Sequence, residues 1–123
     1  MVANSDTSES DDIAQHPEIR FAITMTRSFP ILALSGFVDT LRHAADDDNR
    51  SQQCYCAWDI CGQDRMPVTS SAGIAVTPEC SFEDLPETDY LVVIGGLMSS
   101  IDDTPPKLLD FIRSYYHSGG KVV

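Results

Sequence analysis

Tyr90-Leu-Val-Val-Ile94 is a continuous apolar run that ends on Gly95-Gly96, and no other stretch narrows the choice of fold as far. A strand with no polar alternation has no face to offer to water. It belongs in a parallel sheet that helices cover on both sides. The neighbouring segments supply the rest of such a fold. Arg20–Thr26 places Phe21, Ile23 and Met25 in alternation with Ala22, Thr24 and Thr26, which predicts a strand. Ser28-Phe29-Pro30 breaks it, with Ser28 as a cap and Pro30 in a first helical turn. From Ile31 to about Ala45 the period is helical, and Leu34, Phe37, Val38, Leu41 and Ala45 share one face. Asp46-Asp47-Asp48-Asn49 ends that helix in a polar loop.

Gln53–Cys61 alternates again. Cys54, Cys56, Trp58 and Ile60 lie on one face, and Tyr55, Ala57 and Asp59 on the other. Gly62–Arg65 reads as a turn. Val68–Ser71 and Gly73–Val76 read as short extended pieces with a bend at Gly73. Pro78–Pro86 reads as loop, with one helical turn at Phe82–Leu85. After the apolar strand, Thr104 is the expected cap of a helix opened by Pro105-Pro106. Its stripe is Leu108, Leu109, Ile112, Tyr115 and Tyr116, and Ser118-Gly119-Gly120 stops it. Lys121-Val122-Val123 begins another strand. The expected fold class is α/β, an open, mostly parallel sheet flanked by helices. Strands run about five or six residues, so the three residues of the last one predict a domain incomplete at its C-terminus. That would leave Tyr90–Ile94 and the 105–118 stripe incompletely covered, and the chain prone to aggregate or partly molten.

Eight Lys+Arg stand against nineteen Asp+Glu among 123 residues, a net charge of −11. Phosphate binding needs clustered cations, so this composition argues against a nucleic-acid surface within the chain, and against attachment to an anionic membrane. No apolar run reaches the roughly 18 residues that span a bilayer. Residues 1–19 hold Asp6, Glu9, Asp11, Asp12 and Glu18 and no Lys or Arg, which predicts an acidic disordered tail. Such a start resembles neither a secretory signal nor a transit peptide, so the expected compartment is the cytoplasm. The domain then occupies residues 20–123. Cys54, Cys56, Cys61 and Cys80 lack zinc-module spacing and read as buried free thiols. No metal site and no cofactor is expected.

In open α/β sheets ligands bind beyond the carboxyl ends of the strands. Two such ends are readable: Arg27-Ser28-Phe29, and Gly95-Gly96-Leu97-Met98. A Gly-Gly pair can turn backbone N–H groups toward a ligand oxygen, as in an oxyanion hole or carboxylate pocket; a plain tight turn uses the same pair. His16, His43 and His117 are scattered and read as surface positions. Asp46–Asp48 reads as a solvated loop, because adjacent acids do not converge easily on one ion. Ser70-Ser71 has no nucleophile turn and is not a hydrolase signature.

Three motifs in order carry a family resemblance. Phe29-Pro-Ile-Leu-Ala-Leu-Ser-Gly-Phe-Val-Asp39-Thr-Leu41-Arg42 resembles the first helix of the ThiJ/PfpI superfamily, in particular its GlxA-type branch. Trp58 followed by Pro67-Val-Thr-Ser70-Ser71-Ala-Gly73-Ile74 resembles that branch's Trp strand and Val-x-Ser-Ser-x-Gly turn. Asp89-Tyr-Leu-Val-Val-Ile-Gly95-Gly96 resembles its Asp-(apolar)-Gly-Gly strand. The resemblance covers residues 20–123. It implies a class I glutamine amidotransferase-like (flavodoxin-like) fold and the effector-sensing N-terminal domain of an AraC-family transcriptional regulator. DNA would then be bound by a C-terminal domain outside this chain. It implies a homodimer, and a small amino-acid-like or quaternary-amine-like effector held near Ser28, Phe29, Gly95, Gly96, Leu97 and Met98.

Two departures bear on activity. Enzymatic members carry a glutamate early in the first helix, where the alignment places Ala33. Their nucleophile elbow follows the strand that Lys121-Val122-Val123 begins, so no cysteine here can be assigned as nucleophile, and no catalytic residue is expected. The competing readings are a fragment of a PfpI-like cysteine amidase or hydratase, and a domain that only oligomerises.

Overall fold

A computed structural model describes residues 17–48, 50–96 and 104–123. Five parallel strands form one sheet in the order β5-β2-β1-β6-β7. They are β1 (Ile19–Met25), β2 (Cys56–Gly62), β5 (Cys80–Ser81), β6 (Tyr90–Ile94) and β7 (Lys121–Val122). Helix α1 (Ile31–Ala45) links β1 to β2, and α2 (Pro106–His117) links β6 to β7. A separate antiparallel hairpin pairs β3 (Val68–Thr69) with β4 (Ala75–Val76). The expected α/β class and parallel sheet are what the chain adopts.

The two faces of the sheet bury different residues. Phe21, Ile23 and Met25 of β1 join Cys56, Trp58 and Ile60 of β2 and Val92 and Ile94 of β6 beneath α1. Leu34, Phe37, Val38, Leu41 and Ala45 meet them from the helix, the face that the 3.6-residue period predicts. On the opposite face Ala22, Cys61 and Leu91 pack with Phe111, Ile112 and Tyr115 of α2 and with Phe82 and Leu85. Phe82 and Phe111 stack with ring centroids 4.0 Å apart. Leu91 and Val92, consecutive on β6, are both buried, one toward each helix. β1 and β7 pair the two edges of β6, and Tyr90 and Val93 stay half-buried.

Several local expectations are corrected. Helix α1 is capped by Pro30, with no side-chain cap, while Ser28 sits two residues earlier in the left-handed region at φ 61°. The cap of α2 is Pro105, and Thr104 lies buried before it. Strand β2 begins at Cys56 instead of Gln53. The Cys54 and Tyr55 N–H groups both donate to the Ala45 carbonyl at the end of α1, at 3.1 and 2.9 Å, which holds them out of the ladder. Cys80–Ser81, expected as loop, pairs with Cys61–Gly62 as the edge strand β5, while the 3-10 turn at Phe82–Asp84 is the helical turn expected there. In α2 the buried stripe runs through Phe111, and Tyr116 is 65% exposed. Eight residues past Leu108 a helix has turned about 80° beyond two full turns, which carries Tyr116 off the stripe.

The end of α2 is a Schellman motif. Gly119, at φ 96°, donates to the Tyr116 carbonyl (3.1 Å), and Gly120 donates to the Tyr115 carbonyl (3.0 Å). The Tyr115 ring lies where a Cβ on Gly120 would stand, and its hydroxyl donates to the Thr88 carbonyl at 3.1 Å. Among the described residues no helix is long and apolar enough to cross a membrane. The acidic residues 1–16 lie outside the described residues.

Burial of Leu91 between β6 and α2 predicts a loss of about 2–5 kcal/mol for Leu91→Ala. Tyr116→Ser, on the solvent side of the same helix, should stay within about 0.5 kcal/mol. Urea unfolding of both variants checks the pair.

Candidate functional site

The carboxyl ends of β1 and β6 run side by side into their loops. The Thr26 N–H donates to the Ile94 carbonyl at 3.0 Å, one residue beyond the β1 strand. Gly96 then crosses against the turn after β1. A Cβ on Gly96 would meet the Arg27 carbonyl oxygen, and would lie 2.8 Å from both the Ser28 carbonyl carbon and Thr26 Oγ1. The position therefore requires glycine on steric grounds, since the obstructing atoms are mostly backbone. Gly95 has open space around the corresponding point.

The β3–β4 hairpin fixes the same turn from a third side. The Ser28 N–H donates to the Thr69 carbonyl and the Ser71 N–H to the Phe29 carbonyl, both at 2.9 Å. Ser70 Oγ accepts from the N–H groups of Ala72 (3.3 Å) and Ile74 (3.1 Å), and closes the hairpin. These bonds hold Ser28 at positive φ, a conformation that costs a non-glycine residue of order 1–3 kcal/mol. The structure thus brings Ser28 and Gly96 together. Phe29 is fully buried under α1 as part of the core. Leu97 and Met98 lie outside the described residues.

A cleft of about 270 Å³ opens next to this junction. Thr24, Met25 and Arg27 line it from β1 and its loop, and Gly62, Gln63, Asp64, Met66 and Val68 from β2 and the loop beyond. Phe82, Pro105 and Leu108 close it from the other side of the sheet. It occupies the position where open α/β sheets bind ligands. Arg27 was legible as a strand-end residue. Gln63, Asp64 and Met66 were not, because a loop's aim cannot be read from its composition.

Three of the four thiols, Cys56, Cys61 and Cys80, are poorly suited to nucleophilic chemistry. Burial pushes the Cys61 thiol up to about 12, with neighbouring Cys80 and Asp59 adding to it. Burial also raises Cys56 and Cys80. The first turn of α1 carries no acidic residue, and Ala33 stands there exposed. Among the described residues no group of three His, Cys, Asp or Glu side chains could hold a metal ion. Asp46, in the acidic loop after α1, accepts from the N–H groups of Arg50 (3.1 Å) and Gln52 (2.7 Å) and serves the loop's own backbone.

No protein-family profile matches the chain. It is 36% identical over 83 residues to an isonitrile hydratase of Pseudomonas putida, an alignment that takes in 68% of this chain and 32% of that protein. Among solved structures it is similar to a DJ-1 superfamily protein from Agrobacterium tumefaciens (TM-score 0.59, 26% identity, 85% of this chain and 51% of that one). It is also similar to an AraC family transcriptional regulator from Pseudomonas putida (TM-score 0.67, 22% identity, 85% and 62%). The chain therefore spans about a third of the curated relative and between half and two thirds of these structures. Its fold is that of the DJ-1/ThiJ/PfpI superfamily, as the three sequence motifs implied.

The contact at Gly96 predicts that Gly96→Val loses about 1–3 kcal/mol of stability, while Gly95→Ala stays within about 0.5 kcal/mol; chemical denaturation of the two variants reads the difference. A second expectation concerns pH. Cys61 titrates near 8.5 in the unfolded chain and at about 12 in the folded one. Between those values the unfolded state releases the proton first, so stability falls as pH rises. Melting at pH 8 and pH 9.5 should show this fall, and Cys61→Ala should lessen it.

Proposed function

We propose that this chain, with its DJ-1/ThiJ/PfpI fold, is the effector-sensing and dimerising part of a GlxA-type AraC-family transcriptional regulator. It binds a small metabolite at the carboxyl ends of β1, β2 and β6, near Ser28 and Gly95-Gly96. DNA is contacted by a domain outside this chain, which agrees with a net charge of −11 within it. The observation that carries the reading is the first turn of α1: it holds no acid beside the Gly96 junction, where an enzyme would need one to activate a thiol. The raised thiols at Cys56, Cys61 and Cys80 point the same way. The likeness to a solved AraC family regulator supports it at the level of fold.

The second reading is a cysteine-dependent hydratase, favoured by the identity to an isonitrile hydratase over 83 residues. It requires a nucleophile on a strand-to-helix elbow, and none of the four described cysteines stands where a strand runs into an α-helix. Two measurements separate the readings. The protein incubated with an alkyl isonitrile should form no N-formamide above the buffer background. Sedimentation should show a dimer, and a fusion to a DNA-binding domain that represses only as a dimer should repress. Formamide production at enzymatic rates, abolished by alkylating the protein's thiols, would sink the sensor reading.

A further inference from the structure

We propose that the cleft beside Arg27 binds a small monocarboxylate with an apolar body, its carboxylate on the Arg27 guanidinium. The assignment deepens and rests on the sensor reading, and concerns residues of β1, β2 and their loops.

The first observation is a contrast among the arginines. The chain has nineteen acids and eight bases, so carboxylates are plentiful. Arg20 lies 3.7 Å from Asp59, Arg50 3.9 Å from Asp48, Arg65 3.8 Å from Asp84 and Arg113 4.0 Å from Asp110. Arg42 reaches the Ser51 hydroxyl at 3.2 Å. Arg27 has no ion pair among the described residues, although its backbone is locked in the junction with Gly96. It is also the arginine that lines the cleft. A planar guanidinium with open donors, set on a fixed turn, is suited to bidentate recognition of a carboxylate.

The walls decide what the rest of the ligand is. Met25, Met66, Val68, Phe82 and Leu108 make most of the described wall apolar, and Thr24, Gln63 and Thr69 add neutral polar groups. A phosphate carries more charge than one guanidinium balances and would lie against these apolar side chains, so it fits such walls poorly. Asp64 stands on the β2 side, with Oδ1 accepting from the Met66 N–H at 2.9 Å. A second anionic group on the ligand would meet this carboxylate, which disfavours dicarboxylates. The volume of about 270 Å³ lies just below the usual range of ligand sites, which begins at about 300 Å³, so the ligand is small. Met side chains adapt to different apolar shapes, so the tail is selected by size more than by outline.

The test uses the full chain labelled with ¹³C at the methionine methyls, since Met25 and Met66 both line the cleft. Benzoate, butyrate and 4-methylpentanoate are titrated, each beside its uncharged amide. At least one acid should shift the Met25 and Met66 methyls saturably and bind at least tenfold more tightly than its amide. Arg27→Gln should lower that affinity at least tenfold, leave the amide's affinity unchanged, and leave the melting temperature within error. Acid binding that survives Arg27→Gln, or that moves other methyls while Met25 and Met66 stay still, overturns the assignment but leaves a sensor with its site elsewhere. Tighter binding of the amides overturns the carboxylate class in the same way. If no acid or amide binds, the assignment falls. The sensor reading falls with it only if a panel of cationic and neutral metabolites also gives no saturable shift.

Discussion

Strand β1 is hydrogen-bonded along both edges, and the rest of the molecule takes its geometry from that strand. Its pairing with β2 sets Ile23 beside Ile60, and its pairing with β6 sets Ile23 beside Val92 and Met25 beside Ile94. Parallel register sends all three strands toward the same end of the sheet. Three loops therefore leave together, which is why the turn at Arg27-Ser28, the Gly95-Gly96 exit and the Gln63–Pro67 segment border one region. One more bond, from the Thr26 N–H to the Ile94 carbonyl, extends the ladder into the loops and brings Gly96 against backbone. The crowding at that glycine is the local cost of running two strand exits this close.

The two faces of the sheet handle burial differently. The α1 face is a broad hydrophobic layer in which one helix crosses residues from three strands. The α2 face mixes apolar area with thiols and hydroxyls. Cys61 and Cys80 stand opposite each other on β2 and β5, and burial raises the Cys80 thiol, with Asp59 adding to it. The Asp59 carboxylate has one buried oxygen without a hydrogen-bond partner, with Arg20 3.7 Å away. The ion pair in this layer is loose, and aromatic rings bridge its elements. The Phe82–Phe111 stack and the Tyr115–Thr88 contact tie α2 to the loops at its two sides.

Much of this was readable in the residues. The unbroken run at Tyr90–Ile94 required cover on both faces, and Leu91 and Val92 show it. The period of Leu34, Phe37, Val38, Leu41 and Ala45 assigned the packed face of α1 directly. The short pieces at Val68–Thr69 and Ala75–Val76, the turn at Phe82 and the strand at Lys121 were readable too, whereas the edge strand was not. Cys80–Ser81 carries no alternation, and it becomes a strand only because the end of β2 leaves bonding groups for it. Capping was misread at Ser28 and Thr104 for a related reason: favourable cap chemistry in sequence says nothing about where the preceding turn places the residue. Of the candidate site, Ser28 and Gly96 meet, whereas Phe29 turns into the core, since an aromatic beside a strand end looks the same in sequence whether it faces a ligand or a helix.

The central position of β1 also sets an order of events during synthesis. The middle of the sheet is made first, and its neighbours β2 and β6 follow later in the chain. At about 5–20 residues per second the interval before β6 is complete is on the order of seconds. Until then Phe21, Ile23 and Met25 have only α1 and then β2 for company, and the edge that β6 will occupy stands open. A nascent β1–α1–β2 unit with one bare central edge presents unpaired N–H and C=O groups, a template for the same strand of a second nascent chain.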